Sequence, residues 1–146
     1  MSIAPIRALI ETEVSNAYSA LATPVKVEFD NVGETPPADA SGEFVILTIS
    51  FEEITVLVAC APDPNIEWIR GNVQIAAYTP RAQGMKRLEE LGLVAVQTLV
   101  GLGTAAQTFP GIQSASAGPV SGPTPVLSGD SPLALTNVSA AFYARV

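Results

Sequence analysis

Val25-Lys26-Val27-Glu28-Phe29-Asp30 alternates apolar with charged residues without exception, the pattern of a strand with one face on a core and the other in water. Upstream, apolar residues recur in steps of three and four at Ile3, Ile6, Ile10, Val14, Ala17 and Leu21, which draws a single stripe along a helix. Ser2 is the candidate N-cap, and Pro5 falls in the first turn, where its missing N–H is no loss. Thr23-Pro24 ends the helix, because a residue before proline avoids helical angles. A helix with one apolar stripe that leads into a half-buried strand should cover a sheet.

Downstream, residues 31–42 carry Gly33, Pro36, Pro37 and Gly42 and read as a long exposed loop. Glu43 to Phe51 is almost continuously apolar, as in a central strand covered on both faces. A second apolar run spans Ile54 to Ala61. Pro62-Asp63-Pro64-Asn65 then turns the chain, and Ile66 to Tyr78 alternates as a further strand, so the three runs predict a meander. Met85, Leu88, Leu91, Ala95, Leu99 and Leu102 mark a second amphipathic helix, ended by Gly101 or Gly103. Ile112 to Ala117 is a short strand, and Gly118 to Pro132 a long Gly, Pro and Ser-rich loop. Val138, Ala140, Phe142, Ala144 and Val146 alternate as a closing paired strand. The sum is one α/β (α+β) domain over residues 1–146, with five to six strands and two main helices.

Charge and residue types narrow the chemistry. Fourteen acidic against seven basic side chains leave a net charge of −7, the wrong sign for tracking a phosphate backbone. Histidine is absent, which removes the commonest general base and the commonest metal ligand together. Cys60 is the only cysteine, so an intrachain disulfide is impossible and a structural zinc site fails on ligand count. Its apolar surroundings read as those of a buried, inert thiol. The N-terminus lacks the apolar stretch of a signal peptide, and a cytoplasmic protein is the default. The runs at Ile54–Ala61 and Leu91–Ala106 are too short or too interrupted to cross a membrane.

Carboxylate-only chemistry is open in principle. The visible pairs, Glu52-Glu53 and Glu89-Glu90, are adjacent in sequence and so do not face one another; they read as solvated surface. Gly101-Leu102-Gly103 lacks the third glycine of a dinucleotide loop and follows a helix, not a strand. Asn137-Val138-Ser139 matches a glycosylation acceptor without a secretory context. Trp68 beside the proline turn is either core packing or a contact anchor. Arg81, Lys86 and Arg87, at the start of the second helix, are either a solvated face or a docking patch for an acidic neighbour.

The order of elements resembles the tail terminator proteins of long-tailed bacteriophages. The likeness rests on the N-terminal helix leading into Val25-Lys26-Val27-Glu28-Phe29-Asp30-Asn31 and a proline-bearing loop, on Gly71-Asn72-Val73-Gln74-Ile75 ahead of the second helix, and on the closing strand Val138 to Val146. It covers nearly the whole chain. Two departures are Thr79-Pro80-Arg81-Ala82-Gln83-Gly84, where the family usually has a shorter glycine-marked turn, and the length of the Gly118–Pro132 loop.

The resemblance implies a twisted mixed sheet with helices against it and a hexameric ring. That ring would cap the tail tube, end its polymerisation and join the tail to the neck connector, touching the sheath where the tail contracts. It further implies a virion protein made in the host cytoplasm, with no enzymatic activity and no cofactor, and DNA passing through the channel without specific binding. Subunit and partner contacts are expected at Glu34 and Asp39, at Asp63, Trp68 and Arg70, at Arg81, Lys86 and Arg87, and at Pro123 and Asp130. The alternatives are a head-completion or other neck ring protein and, from a different class, a small ligand-binding or carboxylate-dependent enzyme domain.

Overall fold

The computed structural model describes residues 3–29, 42–57, 66–80, 85–126 and 133–146. In chain order the elements are α1 (Ala4–Ser19), β1 (Lys26–Phe29), β2 (Phe44–Leu57), β3 (Ile66–Pro80), α2 (Met85–Val100), α3 (Leu102–Ala106), β4 (Ser114–Ala117), β5 (Ser121–Val126) and β6 (Leu133–Arg145). The six strands form one mixed sheet in the order β1-β2-β3-β6-β4, with β5 also paired to β6. β1 runs parallel to β2, and the other pairings are antiparallel. The expected α+β domain, a mixed sheet packed by two main helices, is therefore the observed one, with α3 as a short addition.

Alternation decides which side chains are buried. Val45, Leu47 and Ile49 of β2, Val73, Ile75 and Ala77 of β3, and Val138, Ala140, Phe142 and Ala144 of β6 all point to one face. There they meet Ile6, Leu9, Ile10, Val14 and Tyr18 of α1, Leu91, Ala95 and Leu99 of α2, and Leu102 and Ala106 of α3 in a single core. Each fully buried aliphatic side chain contributes about 1.5–3 kcal/mol from its removal from water. The helical stripes are close to those read from sequence, but Leu9 and Tyr18 take buried positions and Ala17 stays half-buried. Tyr18 is large enough to span the helix layer, and its hydroxyl donates a 2.8 Å hydrogen bond to the Leu91 carbonyl. Burial pushes its phenol pKa well up, so it remains a neutral donor.

Several expectations change. Ile3 occupies the N-cap position of α1 without a side-chain cap, and Ser2 lies outside the described residues. The runs Glu43–Phe51 and Ile54–Ala61 are not two strands of a meander: as far as Leu57 they form the single strand β2, because no turn residue separates them. Glu52 is instead absorbed as a bulge between the pairs Phe51↔Gly71 and Glu53↔Arg70. Nor is β2 covered equally on both faces. On the face away from the helices Phe44 is buried, stacked on Tyr78 at 4.6 Å between ring centroids, but Ile46 and Thr48 are half-buried and Ser50 is exposed.

The second helix stops at Val100, and Gly101 adopts a right-handed conformation that leads into α3, so this glycine joins two helices in place of capping one. Within the expected Gly118–Pro132 loop, Ser121–Val126 pairs with β6 as an edge strand. Prolines are tolerated there because an edge strand has unpaired positions for a residue without an N–H. All of the expected 31–42 loop except Gly42, the whole Pro62–Asn65 turn and Cys60 lie outside the described residues.

A row of three residues sets how closely the layers approach. Phe51, Gly71 and Phe142 are cross-strand neighbours on the helix-facing side, and the two rings meet edge to face at 5.7 Å over the glycine. A Cβ at residue 71 would lie 2.5 Å from Phe142 Cζ and closer still to the Ser50 carbonyl oxygen. Glycine is needed here for space, so that an aromatic from the neighbouring strand can cover the backbone.

Arg87, expected as part of an exposed docking patch, is instead a structural tie. Its Nε donates to Glu43 Oε2 at 2.7 Å, its Nη1 to Glu90 Oε2 at 3.2 Å and its Nη2 to the Thr23 carbonyl at 2.9 Å. One guanidinium thus joins the start of α2, the approach to β2 and the turn after α1. Partial desolvation acts to lower its pKa, but the hydrogen bonds and charges of Glu43 and Glu90 outweigh this and hold it above the ordinary arginine value.

Arg87→Ala leaves the Glu43 carboxylate mostly buried without its partner and should cost about 2–3 kcal/mol. Urea unfolding should show Arg87→Ala/Glu43→Gln losing less than Arg87→Ala alone, and a single variant within 0.5 kcal/mol of the parent would make the tie ornamental. Gly71→Ala should destabilise by about 1–3 kcal/mol through overpacking against Phe142, and a thermal midpoint equal to the parent's would refute the spatial reading of this glycine.

Candidate interaction surface

With the three helices on one side, the sheet presents its other face outward. The central part of that face is built from small or uncharged polar side chains: Thr48 and Ser50 on β2, Asn72 and Gln74 on β3, Asn137, Ser139 and Ala141 on β6. Gln74 Nε2 donates to Asn137 Oδ1 at 3.3 Å across the strands. Toward the Ile66 end of β3 the character changes abruptly to aromatic and cationic.

Two register pairs make that patch. Trp68 lies opposite Arg145 and Arg70 opposite Tyr143. Aromatic and cation therefore swap strands between one pair and the next. The Arg145 guanidinium sits 5.5 Å from the Trp68 ring centroid and that of Arg70 sits 5.8 Å from Tyr143. Such contacts are worth about 0.5–1 kcal/mol each at exposed sites, enough to pre-order the rings. Trp68 keeps 46% of its surface exposed and Tyr143 44%. An outward position on a half-buried strand does not require either ring for core packing.

The bulge at Glu52 completes the patch. Regular alternation from the inward Phe51 would turn Glu53 toward the helices, but one inserted residue re-phases the strand. Glu53 then pairs with Arg70 and Thr55 with Trp68, while Ile54 pairs with the buried Ile69. Bulges re-aim side chains in this way. Thr55 Oγ1 donates to Glu53 Oε1 at 3.3 Å, and Glu52 lies 3.7 Å from Arg70 Nε with both side chains about half exposed. An ion pair that open to water contributes little, so Arg70 can exchange partners cheaply.

Glu53, Thr55, Trp68, Ile69, Arg70 and Tyr143 enclose a shallow depression of about 130 Å³. Small-molecule sites usually span about 300–1,000 Å³ and enfold the ligand. This one is suited to receiving a side chain from a flat partner. Among the described residues, no group of three or more acidic or cysteine side chains is placed to hold a metal ion. Glu52 and Glu53 are exposed, as are Glu89 and Glu90. No described helix is long and apolar enough to cross a membrane.

Of the ten residues expected at contacts, the structure brings Trp68 and Arg70 together. Lys86 is exposed on α2, on the opposite side of the molecule, and Arg87 is withdrawn into its tie with Glu43. Pro123 is an exposed residue of β5 that rests on α2: a Cβ at Gly92 would lie 2.7 Å from its own Cβ. Glu34, Asp39, Asp63, Arg81 and Asp130 lie outside the described residues. Tyr143 and Arg145 complete the patch although sequence reading did not select them. The available signal was an aromatic at an outward position of an alternating strand.

No family model matches the chain, and no curated protein matches it. A solved structure whose name is a bare identifier without functional meaning superposes on 100% of this chain and 97% of its own, with a TM-score of 0.72 and 21% sequence identity. The α+β fold is thereby shared along the full length of a known structure, and at that identity the likeness speaks for the fold alone.

Proposed function

We propose that the chain is a tail terminator subunit of a long-tailed bacteriophage, acting as a hexameric ring that caps the tail tube, ends its polymerisation and joins the tail to the neck connector. The observation that carries this reading is the exposed Trp68–Arg145 and Arg70–Tyr143 patch on a helix-free sheet face. It is a surface with the residue types that dominate protein interfaces and too shallow for a usual substrate. The sequence resemblance supplies the identity of the assembly. Its signatures occupy the edge strand β1, the middle of β3 and the central strand β6.

In this reading the partners are neighbouring copies, the tail tube protein, the neck connector and, in a contractile tail, the sheath. The net charge of −7 opposes lasting contact with DNA moving through the channel. Function resides in shape and surface, with no catalytic step and no cofactor, and the place of action is the virion.

Light scattering on the purified chain at tens of micromolar should give about six times the 15.1 kDa subunit mass, with six-fold rings in negative stain. Rings added to growing tail tubes should stop extension. A twelve-fold ring that binds the portal side would favour a head-completion protein, and a persistent monomer that leaves tube growth unchanged would overturn both.

A further inference from the structure

Among the described residues, four of the exposed large apolar side chains form two groups on opposite sides of the molecule, apart from Ile54, Met85 and Val126. One is the Trp68 and Tyr143 pair on the outer sheet face. The other is on the solvent side of α2, where Leu93 is 53% and Val100 70% exposed. α2 buries Leu88, Leu91, Ala95 and Leu99, while Val94 and Val96 are half-buried and Met85 is exposed at its start. Leu93 and Val100 therefore form a separate stripe with Gln97, and Glu89 precedes Leu93 by one turn on the same face.

Because α2 lies over the inner face of β3 and β6, this stripe points away from the sheet. The Trp68 patch points the other way. Within one molecule the two can never meet. Two different, complementary surfaces on opposite faces produce head-to-tail association, which forms a ring where the rotation between subunits closes and an open filament where it does not.

We infer that the α2 stripe of one subunit docks on the Trp68–Tyr143 patch of the next, so that a second copy of this chain is the occupant of that patch. The chemistry matches in two ways. Leu93 and Val100 are about 10 Å apart along the helix at 1.5 Å per residue, a span that two aromatic rings on adjacent strands can cover. The stripe contributes the Glu89 carboxylate, and the patch contributes Arg145, which lies over Trp68, and Arg70, which lies over Tyr143 and makes only a weak exposed ion pair with Glu52, Glu53 being the other carboxylate on its rim. Opposite charge sets orientation and register while apolar burial supplies affinity. The inference rests on the ring reading above and assigns the ring its interface.

Cysteine cross-linking in a Cys60→Ser background tests it on the full chain. Trp68→Cys/Leu93→Cys, treated with a short bis-maleimide, should yield a ladder ending at the closed ring, whereas Trp68→Cys and Leu93→Cys separately should yield none. Leu93→Glu, which changes only an exposed position, should keep the parent's circular dichroism and thermal midpoint while weakening association at least tenfold. Dimers from Trp68→Cys alone would mean that the patch pairs with itself and would overturn the head-to-tail assignment. Rings of the parent that persist in Leu93→Glu and give no ladder in the double variant would overturn the interface and leave the ring standing. A monomeric parent would remove the ring reading, and this inference with it.

Discussion

Thirteen consecutive residue pairs tie β3 to β6, from Trp68↔Arg145 to Pro80↔Leu133, and what the molecule presents on either face depends on that register. A shift of one residue would exchange the faces along the whole of one strand. It would put Val138, Ala140 and Phe142 in water and drive Asn137, Ser139 and Tyr143 toward the helices. The register is secured by unequal side chains: Phe142 can lie over Gly71 and no other residue of β3 leaves it that space. The same pairing that buries Phe142 therefore places Tyr143 beside Arg70, so the core and the surface patch are two consequences of one alignment.

The bulge at Glu52 extends this logic to the neighbouring strand. β2 must bury Val45, Leu47 and Ile49 before the bulge and still offer Glu53 and Thr55 to the outer face after it. A strictly alternating strand cannot satisfy both demands with this sequence. One unpaired residue costs part of the ladder but restores polar side chains to water and lets Ile54 pair beside Ile69. At the other edge Pro123 and Pro125 on β5 blunt the sheet against further strand addition, while Gly92 of α2 makes room for Pro123. Association through sheet edges is thus discouraged on that side, which leaves the faces as the surfaces available for contact.

How much of this could be read in advance follows from how local each signal is. α1 and β1 are legible because their apolar residues mostly follow one period, with Leu9, Ala17 and Tyr18 the exceptions in α1, and β6 because Val138 to Val146 alternates cleanly. The two apolar runs of β2 mislead because Glu52-Glu53 breaks the pattern as a turn would, and only the partner strand distinguishes an insertion from a reversal. β5 is hidden by its glycine and prolines, which are turn-forming everywhere except at a sheet edge. Arg87 looks free because Glu43 and Thr23, its partners, are remote in sequence. The patch itself was half visible: Trp68 and Arg70 stand out as interface residue types, but Tyr143 and Arg145 join them only once a strand near the middle of the chain is aligned with its last strand.

The distribution of polar groups makes the outer face more than the leftover side of a sheet. Thr48, Ser50, Asn72, Gln74, Asn137 and Ser139 give its centre hydrogen-bonding capacity without full charges, so covering it with another protein incurs no unpaired-ion penalty. Their short side chains also lose little conformational freedom on contact. Aromatic and charged residues flank that centre at both ends: Phe44 stacked on Tyr78 beside Lys26 and Glu28 at one, and Trp68, Arg70, Tyr143 and Arg145 at the other. A neutral platform with an aromatic–arginine group at its margin suits the docking role proposed for this face. In the proposed head-to-tail contact the exposed stripe on α2 answers the Trp68 end through the span of Leu93 and Val100, with Glu89 directed to the arginine that lies over Trp68.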